Sequence, residues 1–294
     1  MSSFPIRQLP LRDFPPLLKE IPDKPKTLYV RGEMPACRQA GRPDIKYLCV
    51  VGSRATSIYG RRVCQQLIAG LAGYPVAIVS GMAFGIDSEA HKAAMDVGLP
   101  TIAVLPSSCD DASIYPSSNR PIAQRILARG GALVSEYKDA HKAMLHDFAR
   151  RNRISAGMSH CALIVEAGEK SGTLITARLA LDYNREVLAI PHELGRETGA
   201  GVNRLIREGA TLVRTADDIL QALGIKPLDT PKQAALPTDL SEPEVKTLHT
   251  LIEPLVRDEL IENSGLSAQE ANIALSSLLI RGLIVERLGK IERV

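Results

Sequence analysis

The chain has 294 residues, 45% of them hydrophobic and 23% charged, with a mean hydropathy of zero and a formal net charge of +3. Those values exclude wholesale disorder and a fibrous repeat, and at about 150 residues per domain the length predicts two domains. No apolar run approaches the roughly 20 residues that a membrane-spanning helix needs, so no membrane partner is expected.

The first twenty residues, MSSFPIRQLPLRDFPPLLKE, contain neither an apolar h-region nor a small-residue cleavage site. A cytoplasmic chain is therefore expected. Cysteines stand at 37, 49, 64, 109 and 161, an odd number with no CxxC pair. They read as buried, reduced thiols rather than a disulfide framework or a zinc site, so no metal is expected. Charge is unevenly spread: from Thr238 onward six Lys/Arg face ten Asp/Glu, a balance of −4, which leaves +7 for the first 237 residues. Phosphate contacts are expected in the larger, basic part. Aromatic residues make up only 4%, with no Trp, so few rings are available for stacking on bases.

Residues 1–45 hold eight of the 19 prolines and read as an N-terminal lead-in packing on the main domain, with one short strand at 27–32. From residue 46 to 225 the pattern becomes regular. Apolar runs at 47–52, 76–81, 101–106, 132–136, 162–167 and 186–191, with a weaker one at 211–213, alternate with amphipathic stretches at 61–71, 87–97, 121–129, 172–183 and 202–208. Near-continuous Val/Ile/Leu strands between helices predict an α/β fold whose parallel sheet is covered on both faces. Right-handed crossovers then bring all the strand C-terminal ends to one edge, where ligands bind in open α/β sheets. Residues 226–240, with three prolines, read as a linker. Within 241–294, three helices (241–251, 258–263 and one N-capped by Ser267 with Glu270) and two short strands around Gly289 suggest a winged-helix module.

Chemistry clusters just after the strands. In GSRATSIYG (52–60), Gly52 permits a tight turn. The amides beyond it, with Ser53, Thr56 and the fork of Arg54, form a nest fit for phosphate, or equally a βα turn whose hydroxyls cap the next helix. In SGMAFGIDSEAH (80–91), Gly81 and Gly85, with Ala83 between them, let backbone approach a ligand. Asp87 and His91, four apart on one helical face, either orient each other or stitch the helix to a neighbouring loop, and the structural role is favoured. In EAGEKSGTLITA (166–177), Lys170, Ser171, Gly172 and Thr173 open a helix, where amides and the dipole favour an anion. The segment 138–153 carries Lys138, Lys142, Arg150, Arg151 and Arg153, with Phe148 interleaved. Basic side chains with an aromatic grip a single strand through phosphates and base stacking.

Several enzyme signals are absent. GEKSGT is not a P-loop, no GxGxxG follows a strand, and GMSHC lacks the second glycine of a nucleophile elbow. His141 and His146, five apart, would not share a helical face as metal ligands do. No cofactor is expected. The alternative kept open is a nucleotide-binding α/β enzyme such as a nucleoside-monophosphate phosphoribohydrolase. Against it, Gly172-Thr173 is followed by Leu, Ile, Thr and Ala where such enzymes generally need a glutamate.

The ordered series VGSRATSIYG, SGMAFGIDSEAHKAA, TIAVLP, YPSSN, ARRNRISAGMS, VEAGEKSGTLITARLAL and GVNRLIREGATLV resembles the DNA-processing protein A (DprA/Smf) family from about residue 28 to 223. The resemblance implies an extended Rossmann-like fold, a parallel sheet with a mixed edge and helices on both faces, together with the winged-helix tail many members carry. It implies binding of single-stranded DNA, a homodimer, and loading of the RecA recombinase in natural transformation, without enzymatic catalysis. Arg54 then corresponds to the family's phosphate-contacting arginine, Arg151, Asn152 and Arg153 to its RNR motif, and Phe148 to the aromatic before it. PHEL (191–194), PSSCDD (106–111) and the proline-free 138–147 depart from the family pattern.

Overall fold

In the computed structural model, which describes residues 4–35, 44–138, 140–227, 240–251, 254–281, 283–287 and 289–293, the proline-rich start is built into the sheet. Strand β1 (Ile6–Leu9) pairs antiparallel with β2 (Leu28–Gly32). Between them the short helix α1 (Pro16–Glu20) starts on a proline, whose fixed φ suits a first helical position. The chain divides into two units, Met1–Pro227 and Leu228–Val294.

The first unit continues with strands β3 (Lys46–Val51), β4 (Val76–Ser80), β5 (Thr101–Val104), β6 (Ala132–Ser135), β7 (Cys161–Ile164), β8 (Glu186–Ala189) and β9 (Thr211–Leu212). The nine strands lie in the order β1-β2-β6-β5-β4-β3-β7-β8-β9. All pairs from β6 across to β9 are parallel, while β2 meets β6 antiparallel, giving the mixed edge. From β3 the chain steps outward to β6, then returns across the sheet to β7 on the other side of β3. The strand order therefore reverses between β3 and β7, and such a switch point opens a crevice at the strand C-terminal ends.

Helices α2 (Ile58–Ala69), α3 (Ile86–Asp96), α4 (Arg120–Ala128), α5 (Leu145–Met158), α6 (Thr173–Asp182), α7 (Glu197–Arg207) and α8 (Ala216–Ala222) cover both faces. Along β3, Tyr47, Cys49 and Val51 pack on the face that holds α1, α5, α6 and α7. Leu48 and Val50 pack on the opposite face, under α2, α3 and α8. Burial on both sides explains why the strand reads as one apolar run without alternation. Cys49, Cys64, Cys109 and Cys161 are buried free thiols, and burial pushes Cys49 up to about 12, which makes it unreactive. Cys37 lies outside the described residues.

The expected helices recur with starts shifted by one to five residues. Four elements of the first unit had no counterpart in the pattern: strand β1, the short helices α1 and α8, and helix α5, whose inward positions Asp147, Arg151 and Arg153 are charged yet buried.

The second unit runs α9 (Glu242–Thr250), β10 (Leu255–Val256), α10 (Arg257–Ser264), α11 (Ala268–Ile280), β11 (Ile284–Arg287) and β12 (Lys290–Arg293). Strand β12 pairs antiparallel with both β10 and β11, around a core that includes Leu248, Leu260, Leu275, Leu278 and Ile291. The capping box at Ser267 forms: its hydroxyl accepts from the Glu270 N–H, and Glu270 accepts from the Ser267 N–H. Of the expected linker, 228–239 lie outside the described residues.

Candidate nucleic-acid interface

A cavity of about 480 Å³ opens at the switch point, where the C-terminal ends of β3, β4 and β7 meet and α5 forms one wall. From the first loop it is lined by Gly52, Ser53 and Arg54, from the second by Ala83 and Asp87, and from the third by Ser171, Gly172 and Thr173. Helix α5 adds Phe148, Arg151 and Asn152. Three loops and a helix far apart in sequence thus converge because parallel crossovers return every strand to the same edge.

Two glycines set the close approaches. Gly85 has φ +74°, and a Cβ there would stand 2.1 Å from the Ser53 carbonyl oxygen, so only glycine lets the start of α3 rest on the first loop. At Gly81 a Cβ would stand 1.7 Å from Arg151 Nη1. The missing side chain is the slot that the Arg151 guanidinium occupies.

Arg151 is 6% exposed, and its Nη1 donates to the Val104 carbonyl at 2.8 Å. Burial pushes the Asp87 carboxyl up, while Arg151, the Ala83 N–H and the Ser80 hydroxyl act in the opposite sense. Asp87 and Arg151 are both buried at the cavity floor, and each feels the other's charge through space, in opposition to the burial that disfavours its charged form. Among the described residues, no acceptor meets the buried Arg151 Nε–H or the buried Ser155 hydroxyl. Both residues line the cavity.

At the rim, the Arg54 guanidinium carbon lies 5.0 Å from the centroid of the Phe148 ring. Tyr115, 49% exposed, meets the same Phe148 ring edge-on, with the centroids 5.6 Å apart. The arrangement is a cluster of one exposed cation, one exposed ring and one half-buried ring.

Other expected residues fall elsewhere. Thr56 and Gly85 line an adjoining cavity of about 590 Å³ that shares Arg54. Thr56 donates to Glu166 at 3.0 Å, and the Ser57 N–H donates to the same oxygen at 2.9 Å. Burial works to raise the Glu166 carboxyl, but hydrogen bonds from Ser57, Thr198 and Thr56 outweigh it and hold it below the ordinary range. The first loop is therefore fastened to the end of β7. Gly81 is buried beneath Arg151. Lys142 and Lys170 are exposed and do not line the cavity.

Arg153 does not reach the cavity either. It is buried, donates to the Asp23 carbonyl at 2.6 Å and pairs with Glu136. Asp87 and His91 do not orient each other: His91 Nδ1 bonds Thr101 Oγ1 at 2.7 Å in the core, and burial followed by the Arg151 charge lowers it to about 3.

The spacing argument for His141 and His146 misses their meeting point, because His141 precedes α5 and only His146 is helical. Both Nε2 atoms reach the carboxylate of Asp147, at 2.9 and 3.2 Å, beside the Tyr137 hydroxyl and the Met144 N–H. Ser155, Tyr115 and Glu166 were not singled out from sequence. Ser155 lies three residues after Asn152, so reading α5 as a helix would have placed it on the cavity wall.

A sequence profile of the DNA recombination-mediator protein A family matches residues 9–224. The chain belongs to that family. Over 210 residues it is 42% identical to protein Smf of Escherichia coli, covering 71% of this chain and 54% of the relative. It is 36% identical over 203 residues to the DNA processing protein DprA of Streptococcus pneumoniae, covering 69% and 68%. The chain thus spans about half to two thirds of the length of these curated relatives. The X-ray structure of DprA from Streptococcus pneumoniae superposes with a TM-score of 0.67 at 34% identity, covering 75% of this chain and 74% of that one. DNA processing protein A from Helicobacter pylori, whose structure was described for its mode of single-stranded DNA binding, superposes at 0.64 with 28% identity, covering 76% and 97%. For this recombination-mediator relative the extended Rossmann-like sheet is thereby shown. No helix among its described residues is long and apolar enough to cross a membrane.

Proposed function

We propose that this chain is a recombination mediator that grips single-stranded DNA at the switch-point cavity and does no catalysis of its own. The observation that carries the reading is the concentration of donors at one concave site. Arg54 is stacked on Phe148 at the rim, and the buried Arg151 Nε–H and Ser155 hydroxyl below lack partners. A strand's phosphates and base edges supply acceptors for such donors, and its bases supply faces for the rings. A duplex base would first have to leave its stack, at a cost of a few kcal/mol, so single strands are favoured.

Family membership supports the finer reading: a cytoplasmic homodimer that protects incoming single strands and loads the RecA recombinase in natural transformation. The element order of the second unit (helix, strand, two helices, two strands) supports its assignment as a winged helix. Competition of duplex against labelled oligo-dT at fixed salt tests the central claim, and equal affinities would overturn it. Incubation with AMP tests the absence of catalysis: released adenine would transfer the cavity to a phosphoribohydrolase.

A further inference from the structure

Helix α5 has a cavity on each side. Phe148, Asn152 and Ser155 face the switch-point cavity, whereas Arg150 and Arg153, three apart, face another of about 490 Å³. The far wall of this second cavity is the turn before β2, with Asp23, Lys24 and Lys26. Pairing of Tyr29 with Ser135 puts that turn beside the end of β6, so both cavities open at the same sheet edge.

Charge in the second cavity is not balanced. The Glu136 carboxylate is taken by Arg153, and the Asp23 carboxylate accepts from the Tyr183 hydroxyl at 2.6 Å. Arg150, with 58% of its side chain exposed, lies 3.9 Å from Glu136 only through its Nε. Lys24 and Lys26 are exposed, and Lys24 Nζ donates to an uncharged group, the Lys19 carbonyl, at 3.2 Å. The backbone that carries the lysines is held in place. Leu18 and Ile21 pack where Gly157 of α5 leaves room, Arg185 donates to the Leu17 carbonyl, and Arg153 to that of Asp23. Cations on a fixed backbone bind with less ordering cost than cations on a loose one.

We infer that the second cavity extends the single-strand site: a strand seated in the first crosses α5 and lays its phosphates against Arg150, Lys24 and Lys26. The crossing is one helix diameter, about 10–12 Å. This inference rests on the reading of the switch-point cavity given above.

The test is salt-dependent binding of an oligo-dT length series to the full chain, comparing wild type, Lys24→Ala/Lys26→Ala, Arg150→Ala and Arg54→Ala. Short oligomers that fill only the first cavity should bind wild type and the double-lysine variant equally. Beyond a threshold length the double variant should bind more weakly, with the log–log salt slope reduced by about 1.4, at about 0.7 per lost contact. Arg150→Ala should show the same threshold with half that change. If Arg54→Ala weakens binding while the other variants match wild type at every length, the extension is wrong and the first reading stands. If wild type binds no oligomer, both fall.

Discussion

Arg54 is held over Phe148 at 5.0 Å instead of being buried, which leaves its fork of donors at the rim. Arg54→Ala should weaken binding of every sequence alike and lower the log–log salt slope by about 0.7. Arg54→Lys should restore only part of this, because an ammonium offers neither the planar stack nor the bidentate fork. Phe148→Ala should act differently, costing about 1–3 kcal/mol per stacked base while leaving the salt slope unchanged. Titrations at several salt concentrations separate the two. Arg151 needs a different reading, since its guanidinium is buried in the slot over Gly81 and bonded to the Val104 carbonyl. Arg151→Ala should cost about 1–3 kcal/mol of stability, because the buried Val104 carbonyl loses its donor. Gly81→Ala should destabilise by about 1–3 kcal/mol through overpacking, because a Cβ would meet Arg151 Nη1 at 1.7 Å. Urea unfolding measures both, and a neutral Gly81→Ala would show that Arg151 has room to move.

At the scale of elements, α5 depends on Asp147. Its side chain caps the helix by accepting from the Met144 N–H at 2.8 Å, and it gathers Tyr137, His141 and His146 around the first turn. Burial acts to raise the carboxyl, but the hydrogen bonds from Tyr137, His141 and Met144, with the His146 contact, prevail and hold it below the ordinary range. With the folded value depressed, the unfolded chain takes up the proton first as pH falls. The stabilisation is complete above the usual carboxylate value of about 3.9 and is lost as pH drops through the lower, folded one. Asp147→Asn should therefore destabilise by about 1–3 kcal/mol at neutral pH through unsatisfied donors. Its urea midpoint should converge on that of wild type in acid. A gap that persists unchanged in acid would assign the effect to packing instead of charge.

At the scale of the molecule, the two units differ in charge: −4 from Thr238 onward against +7 before it. Helix α11, the second unit's candidate recognition helix, has one acidic residue, Glu270, and is followed by one basic residue, Arg281. That is too little positive charge to hold phosphates, although the β11–β12 hairpin, which would be the wing in the winged-helix reading proposed above, carries Lys290. Ending the chain after residue 237 should leave affinity for oligo-dT nearly intact while altering assembly or partner binding. Titration and light scattering read the two. A large loss of affinity with the oligomeric state preserved would show that the second unit holds DNA despite its charge.

Hydrophobic period and turn residues by themselves determined the alternating strands and helices, the covered parallel sheet and the three loops that open at one edge. Those signals are local, and burial on both faces writes them plainly into β3, β4 and β7. The lead-in was legible only as one strand, because β1 alternates weakly along an edge and gains its partner from β2. The basic segment was legible as charge but not as α5. Tertiary structure decided which of its charges remain at the surface: Arg151 fills the slot left by Gly81, Arg153 is spent on Glu136 and Asp23, and Arg150 stays free to meet solvent. It likewise set Arg54 on Phe148 across 94 residues of chain, Tyr115 beside them and Glu166 under the first loop. A sequence states a residue's charge, but its exposure depends on which distant segment packs against it, and only the assembled sheet fixes that.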